Sequence, residues 1–188
     1  MVAGQGKGSL RVRANGSAEQ VVQTASAWTI IRPSFFMSNA ILYQAAAIKA
    51  TGSFYGAAEE GQYSMISPED IAAVAAAILQ NPTAHQGQTY TLTGGQALTE
   101  AEVATAITQV SGRAVSYVNL TPEALGAALA EQGTPAWQVQ AQLDLESVKR
   151  NGWAAEVSPA VETVLGRPPQ TFAEYLKAHP EEVALIQA

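Results

Sequence analysis

The sequence contains no cysteine and only two histidines, His85 and His179. Without cysteine the chain forms no disulfide and has no thiolate nucleophile. The two histidines lie far apart along the chain, and neither has a carboxylate at the spacing of a metal-ligand set. We therefore predict no metal site and two solvated surface histidines. The sequence also lacks a Gly-x-Ser-x-Gly elbow, the usual signature of a serine hydrolase.

Charged residues are scarce as well. They make up 14% of the chain, and 10 Lys and Arg against 16 Asp and Glu give a formal net charge of −6. The basic residues Lys7, Arg11 and Arg13 are scattered, which argues against a nucleic-acid-binding face. No apolar run approaches the ~18 residues of a membrane span, and the chain does not open with the apolar segment of a signal peptide. We expect a cytoplasmic protein without nucleic-acid or membrane partners.

Helix caps and turn residues mark most of the predicted elements, because abundant alanine blurs the hydrophobic periodicity. The predicted strands cover residues 28–32, 63–66, 88–93 and 114–120. The predicted helices cover residues 17–27, 39–51, 68–80, 99–111 and 135–151. A cap followed by proline marks helix starts at Ser67, Thr121, Thr134 and Ser158. Capping boxes are predicted for the pairs Thr99 with Glu102 and Thr171 with Glu174.

A glycine-rich stretch at the start of the chain, GQGKGS at residues 4–9, invites comparison with a dinucleotide-binding turn. Such a turn needs a strand before it and a helix after it, because the pyrophosphate binds at the helix N-terminus. Only three residues precede Gly4, so no strand leads into this turn. We predict that residues 1–16 form a flexible arm.

Four longer stretches occur in a fixed order and carry a family resemblance. They are WTIIRPSFFMSN, ISPEDIAAVAAAIL, GQTYTLTGGQALTEAEVATAITQVSGRAVSYVNLTPEAL and GRPPQTFAEYLKAHP. With them the chain resembles, over roughly residues 15–180, the carboxyl-terminal half of NmrA-like proteins, an atypical group of short-chain dehydrogenases/reductases.

This resemblance implies an α/β fold, with a partial Rossmann-type parallel sheet and a helix-rich carboxyl-terminal substrate subdomain. Residues 17–188 would form a truncated NmrA-like domain, with a remnant of the Rossmann sheet over 17–95 and the substrate subdomain over 96–188. The implied cofactor is NAD(P). In the family the amino-terminal half supplies the glycine-rich phosphate turn, so we expect that this chain alone does not bind a dinucleotide tightly. The alternative is that it uses no cofactor.

The stretch after the first predicted strand is the best candidate site. Two adjacent aromatic residues offer a flat apolar surface for a nicotinamide ring, and an asparagine offers hydrogen bonds to its amide. On the resemblance, the loop faces the nicotinamide and the substrate. The predicted cofactor-binding residues are Arg32, Pro33, Ser34, Phe35, Phe36 and Asn39. In the alternative reading both phenylalanines belong to the core and Asn39 caps the next helix.

Catalytic residues stay unknown at this point. Classical short-chain reductases use Tyr-x-x-x-Lys, in which the lysine lowers the tyrosine pKa. None of the six tyrosines is followed by lysine at that spacing. The chain is therefore either the nicotinamide and substrate half of an NAD(P)-dependent oxidoreductase, or a non-catalytic module for small-molecule binding or oligomerisation.

The same fold predicts an exposed sheet edge. Parallel strands are normally flanked by further strands, and a bare edge offers unpaired N–H and C=O groups to any other strand. With few strands in this chain, the strand over 28–32 would expose such an edge. We expect it to be covered by a second copy of the chain, by a companion chain, or by the amino-terminal arm.

Overall fold

The computed structural model describes residues 10–187, with side chains from residue 16 onward. This part of the chain contains seven strands and ten α-helices. The strands are β1 (Thr29–Pro33), β2 (Phe35–Phe36), β3 (Ser53–Gly56), β4 (Tyr63–Ile66), β5 (Gln88–Leu92), β6 (Ala97–Leu98) and β7 (Ser116–Asn119). The helices are α1 (Leu10–Val22), α2 (Met37–Leu42), α3 (Ala45–Thr51), α4 (Pro68–Gln80), α5 (Glu100–Ser111), α6 (Pro122–Glu131), α7 (Ala136–Arg150), α8 (Ala160–Leu165), α9 (Phe172–Ala178) and α10 (Pro180–Ala184).

Most strand pairs are parallel. β1 pairs with β5 in a register that runs from Thr29 opposite Gln88 to Pro33 opposite Leu92. β2 is parallel to β4 and β3 is parallel to β7, whereas β6 is antiparallel to β4. Parallel strands need crossover connections, and helices supply them here. The predicted fold class, α/β with parallel strands and a helix-rich carboxyl-terminal part, is confirmed.

The predicted caps are confirmed at four helices. Ser67 Oγ accepts the backbone N–H of Asp70 at 3.1 Å, and α4 follows at Pro68. Thr121 caps α6 in the same way. Both predicted capping boxes are formed, at the starts of α5 and α9. In each case the groups that bond are three residues apart, so local sequence determines where the helix begins.

Other predicted elements differ from the structure. The helix predicted over 39–51 is two helices, interrupted at Tyr43 and Gln44. Its first part starts earlier, with Phe36 as N-cap, so Asn39 lies inside α2 and does not cap it. Strand β3 was not predicted, because its pairing with β7 joins residues far apart in sequence. Helix α7 follows Pro135 without the side-chain cap predicted from Thr134.

The amino-terminal prediction is partly wrong. Helix α1 begins at Leu10 and ends at Val22, whereas the sequence predicted a helix over 17–27. Residues 10–16 of the predicted flexible arm are therefore helical. Residues 1–9 of that arm, including the glycine-rich stretch, lie outside the described residues.

The hydrophobic core has two parts. The larger part packs α2, α3, β3 and β4 against α5, α9 and α10, and its buried members include Met37, Ile41, Ile48, Phe54, Val103, Ile107, Phe172 and Tyr175. The smaller part joins β4 and β5 to α4 and α8 and comprises Ile66, Val74, Ile78, Leu92, Ala160 and Val161. Both parts contain residues from either side of the predicted boundary at 95/96. The carboxyl-terminal helices therefore pack directly on the elements that carry the candidate site.

The start of α4 also binds the carboxyl-terminal segment through a buried acid. The Asp70 carboxylate pairs with the Arg167 guanidinium at 2.8 Å and accepts the backbone N–H of Gln170 at 2.8 Å. Asp70 is almost fully buried, whereas Arg167 is half exposed. These contacts hold the segment between α8 and α9 against α4.

A second contact at α4 involves His179. His179 Nε2 lies 3.0 Å from Glu69 Oε1, and His179 Nδ1 lies 2.9 Å from the carbonyl oxygen of Tyr175. A carboxylate and a carbonyl only accept hydrogen bonds, so this geometry favours the cationic imidazole, in which both ring nitrogens donate. The sequence predicted a solvated histidine here, but the ring instead joins the end of α9 to α4.

We expect His179→Gln to destabilise the chain more at about pH 5.5 than at about pH 8.5. The hydrogen bond to the Tyr175 carbonyl raises the pKa of His179, burial opposes this, and the Glu69 charge adds to it. A raised histidine pKa contributes stability that is complete below the unfolded value of about 6.5 and is lost as pH rises through the folded value. Thermal unfolding of both chains at the two pH values measures the effect.

Glu69→Gln is the matched control for this prediction, because it keeps the hydrogen-bonding shape and removes the charge. It should reduce the pH dependence without abolishing it, since the Tyr175 carbonyl remains. A difference between His179→Gln and the original chain that does not change with pH would contradict the assignment of a cationic ring.

Candidate functional site

The predicted site residues lie where β1 and β5 end together. Pro33 closes β1 opposite Leu92, the last residue of β5. The next residue, Ser34, donates its backbone N–H to the Leu92 carbonyl at 2.9 Å. In open α/β sheets ligands bind in the crevice outside the carboxyl ends of the strands. The segment after Pro33 and the segment after Leu92 both start at this edge.

Arg32 is already engaged in an ion pair. Its guanidinium donates to the Glu19 carboxylate through Nε at 2.8 Å and through a second nitrogen. The hydrogen bond to Arg32 lowers the pKa of Glu19, and the same bond raises the pKa of Arg32. The pair ties α1 to β1. Any contact of Arg32 with a ligand therefore competes with Glu19 or uses the guanidinium nitrogen that Glu19 leaves free.

The Ser34 hydroxyl is a buried polar group without a hydrogen-bond partner among the described residues. Burying a hydroxyl without a partner costs about 1–3 kcal/mol on the scale of protein mutations. The described residues cover this oxygen, so a ligand amide or carbonyl would reach it only after the Ser34 side chain rotates outward.

The two adjacent phenylalanines have different surroundings. Phe35 is half buried, and its ring meets the Tyr63 ring edge-on, with centroids 5.1 Å apart. Phe36 is 39% exposed, and α2 begins directly after it. Asn39 lies in the first turn of α2, three residues after Phe36. The alternative that both rings belong to the core does not hold for Phe36, whereas Phe35 packs against the larger core cluster.

The carboxyl end of β5 approaches β4 very closely. Gly94 donates its N–H to the Met65 carbonyl at 2.6 Å, and a Cβ at Gly94 would lie 2.3 Å from the same oxygen. A narrow cavity, too small to hold a water molecule, adjoins this contact and is lined by Met37, Gly95, Gln96 and Gln170, among others. The Gln170 side-chain oxygen is buried there and has no partner among the described residues. A groove of about 310 Å³ continues from this cavity between α5 and α9.

An ion network next to the Phe35 ring was not predicted from the sequence. Lys149 Nζ binds Glu100 Oε1 at 2.6 Å and Glu146 Oε1 at 3.0 Å. The Tyr63 hydroxyl donates to Glu100 Oε2 at 3.0 Å, and Glu146 Oε2 accepts the Ala57 N–H at 2.8 Å. Only Glu146 and Lys149, three residues apart on α7, could have been paired from sequence spacing. The link to Glu100 on α5 depends on the fold.

The tyrosines near this network are held protonated. Burial, followed by the Glu100 charge, raises the pKa of Tyr63 well above its usual value. Burial likewise raises the pKa of Tyr117 to about 12. A catalytic tyrosine of the Tyr-x-x-x-Lys type needs the opposite shift. Neither phenol is therefore activated as a proton donor at neutral pH.

The described residues contain no group of three or more His, Asp or Glu side chains placed to hold a metal ion. Between residues 10 and 187, no helix has the length and apolarity needed to cross a membrane.

The fold and this edge define the class of protein, an α/β protein with a Rossmann-like fold. No family model matches the sequence. A search of curated proteins finds the NAD(P)H azoreductase of Xenophilus azovorans, which is 42% identical over 161 residues, covering 86% of this chain and 56% of the azoreductase. Quinone oxidoreductase 2 of Escherichia coli is 30% identical over 147 residues, covering 78% of this chain and 51% of that protein.

Solved structures agree with the sequence relatives. The NADPH complex of the Escherichia coli quinone oxidoreductase superposes with a TM-score of 0.80 at 27% identity, covering 91% of this chain and 60% of that one. The triphenylmethane reductase of Citrobacter sp. has a TM-score of 0.81 at 19% identity, covering 94% of this chain and 61% of that one, and supports the fold alone. This chain spans about half the length of the curated relatives it matches. It is thus related to NAD(P)H-dependent oxidoreductases and has their Rossmann-like fold.

Proposed function

We propose that this chain supplies the nicotinamide- and substrate-facing half of an NAD(P)H-dependent oxidoreductase of the NmrA-like group. The observation that carries the proposal is the run of residues 34–39 at the shared carboxyl end of β1 and β5, in a chain 42% identical to an NAD(P)H azoreductase. In this proposal Phe36 offers a flat apolar surface, and Ser34 and Asn39 offer hydrogen bonds to the nicotinamide amide.

The described residues fit one end of a dinucleotide and not the other. The unpartnered Ser34 hydroxyl and the exposed Phe36 ring suit a nicotinamide. A pyrophosphate instead needs a glycine-rich turn between a strand and a helix N-terminus. No such turn occurs between residues 10 and 187. Tight binding of the whole dinucleotide therefore requires a phosphate-binding half in addition to these residues.

The residues of this chain bind, orient and exclude water in the proposed reaction. A bound reduced nicotinamide supplies the hydride. Phe36 would cover the ring and keep water from it, and Ser34 and Asn39 would set its orientation. We propose planar conjugated molecules as acceptors. Two relatives are named as an azoreductase and a quinone oxidoreductase, and an exposed aromatic ring suits a planar acceptor.

A chimera tests this function directly. The amino-terminal half of the Escherichia coli quinone oxidoreductase would be joined to residues 10–188 of this chain. We expect NADPH-dependent reduction of a quinone, lowered by Phe36→Ala. A folded chimera that binds NADPH but reduces neither a quinone nor an azo compound would support the other candidate, a non-catalytic ligand-binding module. The protonated, unactivated Tyr63 and Tyr117 favour that candidate.

Binding of a nicotinamide fragment is the simplest prediction for the chain itself. We expect reduced nicotinamide mononucleotide to bind weakly, with a Kd of about 1 mM. Phe36→Ala should weaken it about twofold to twelvefold, because an aromatic stacking contact contributes about 0.5–1.5 kcal/mol. Chemical-shift titration by NMR measures both affinities. Tyr43→Ala is the matched control, since Tyr43 is 79% exposed and follows α2 outside the run of site residues. An equal loss in both variants would contradict the proposed role of Phe36.

We further propose that the free edge of β1 pairs with a strand that residues 10–187 of the same copy do not supply. A second copy of the chain or a companion chain would contribute this strand. The Trp28 carbonyl accepts the Gly87 N–H at 2.7 Å and the Ser34 N–H donates towards β5, so even-numbered residues of β1 face β5. Backbone groups alternate between the two edges of a strand, so those of Thr29 and Ile31 face the other edge. No strand among the described residues pairs there.

Hydrogen exchange of four amides tests this edge. If it is covered, the Thr29 and Ile31 amides exchange as slowly as those of Ile30 and Arg32, which face β5. If it is open, Thr29 and Ile31 exchange at least about 100-fold faster. Light scattering on the same sample shows whether the pairing strand comes from a second copy, because a dimer has twice the mass of the chain. Fast exchange of Thr29 and Ile31 at every concentration, and in complexes purified from cells, would overturn the proposal.

A further inference from the structure

Lys149 is a buried ammonium with two carboxylate partners and one side that faces aromatic rings. Its side chain is 10% exposed, and Glu100 and Glu146 accept two of its three N–H groups. The nitrogen lies 4.6 Å from the centre of the Tyr63 ring and 5.5 Å from that of Phe35. Cations within about 6 Å of a ring centre are attracted to its face.

The backbone at Gly56 and Gly61 lies very close to the end of α7, which carries Lys149. A Cβ at Gly61 would lie 2.3 Å from the Lys149 carbonyl oxygen, and a Cβ at Gly56 would lie 2.8 Å from Glu146 Oε2. Arg150 donates to the Ala57 carbonyl at 2.6 Å. The end of β3 and the loop that follows it are therefore packed closely against the end of α7, and the backbone contact at Gly61 leaves no room for a side chain there.

The network joins four elements of the chain at one point. Glu100 is on α5, Lys149 is on α7, and the rings belong to the β2 and β4 strands. Phe35 is covered on its inner side by Tyr63 and Lys149, and the next residue, Phe36, begins the exposed part of the candidate site. Because Ser34 and Phe36 adjoin Phe35 in the chain, a ring anchored in this way limits the movement of their backbone.

We propose that Lys149, held by Glu100 and Glu146, is a positioning residue that fixes the Phe35 ring and through it the Ser34–Phe36 wall of the nicotinamide site. The inference deepens the proposed function and rests on it for the identity of the ligand. Lys149 itself does not touch the ligand in this proposal. Its effect reaches the site through Phe35. When the Phe35 ring is fixed, residues Ser34–Phe36 lose less conformational entropy on ligand binding.

Fluorine NMR of the unliganded chain tests the positioning without any ligand. The chain has four phenylalanines, so 4-fluorophenylalanine labelling gives four signals, assigned by single Phe→Leu variants. In Lys149→Met we expect the Phe35 signal to shift and broaden, while that of Phe172, in the same core cluster, stays unchanged. Lys177→Met, at an exposed lysine on α9, should leave all four signals in place.

The second measurement is the affinity for reduced nicotinamide mononucleotide. We expect Lys149→Met to weaken it about threefold to tenfold, a range typical of one cation–π contact, and to add little in a Phe35→Leu background. If Lys149→Met does not fold, Glu146→Gln takes its place, because it keeps the ammonium and the hydrogen-bonding shape but removes one anchoring charge.

The outcomes separate the two claims. An unchanged Phe35 signal in a folded Lys149→Met or Glu146→Gln chain overturns the positioning role, and so does an equal change in all four signals. If the original chain binds no nicotinamide fragment, the proposed function fails while the fluorine spectrum still decides the role of Lys149. A Phe35-specific change together with a loss of affinity that disappears in the double variant supports both.

Discussion

Gly94→Ala is expected to destabilise the chain by about 3 kcal/mol, whereas Gly95→Ala beside it should change stability by no more than about 0.5 kcal/mol. A Cβ at Gly94 would lie 2.3 Å from the Met65 carbonyl oxygen and 3.2 Å from the Met37 side chain. The oxygen belongs to the backbone of β4 and also accepts the Gly94 N–H, so it cannot move aside without losing that bond. A Cβ at Gly95 meets only Pro169, at an ordinary 3.6 Å.

Urea denaturation of the two variants and the original chain measures the difference in the free energy of unfolding. Neither glycine has a positive φ, so backbone strain in the left-handed region does not complicate the comparison. Both substitutions also reduce the entropy of the unfolded chain by the same small amount. Equal stability of the two variants would show that Gly94 does not lie against the Met65 carbonyl oxygen.

Lys149→Met is expected to cost about 3–5 kcal/mol of stability, because it leaves two carboxylates buried without their cation. Burial alone would lower the pKa of Lys149, but the Glu100 and Glu146 charges outweigh it and raise that pKa above its usual value. The ammonium is therefore the charged partner at all ordinary pH values. Thermal and urea denaturation at neutral pH measure the loss, and Lys177→Met, exposed on α9, is the control.

The loss of stability caused by Lys149→Met should be smaller when Glu100 and Glu146 are also made neutral. Adding Glu100→Gln and Glu146→Gln to Lys149→Met removes the unpaired anions and keeps side chains of similar shape. We expect the triple variant to recover a large part of the lost stability. A triple variant no more stable than Lys149→Met alone would mean that the loss comes from packing of the lysine stem.

The sequence predicts well where elements begin when the signal is local. Ser67 with Pro68 marks the start of α4, and Thr99 with Glu102 marks that of α5, because each cap bonds to a backbone group three residues away. It fails where the decisive partner is distant. Strand β3 exists through its pairing with β7, and no pattern within Ser53–Gly56 indicates that partner.

The candidate site also has features that local sequence predicts and features that depend on distant partners. The segment Arg32–Asn39 is visible in sequence as a strand that ends at proline and is followed by two aromatic residues. The sequence does not distinguish the two rings, because each is an equivalent phenylalanine until its neighbours are known. Tertiary packing places Phe35 on Tyr63 and Lys149 and leaves Phe36 at the surface.

The sequence by itself determined the α/β class, four of the capped helix starts and the family resemblance, since all three depend on short-range patterns. The cap predicted from Thr134 is not formed. Tertiary structure alone decided that Arg32 pairs with Glu19, that His179 contacts both Tyr175 and Glu69, and that Lys149 lies between Glu100 and Glu146. The physical reason is that ion pairs and buried charges depend on distances across the fold. Sequence spacing fixes such distances only within one helix or strand.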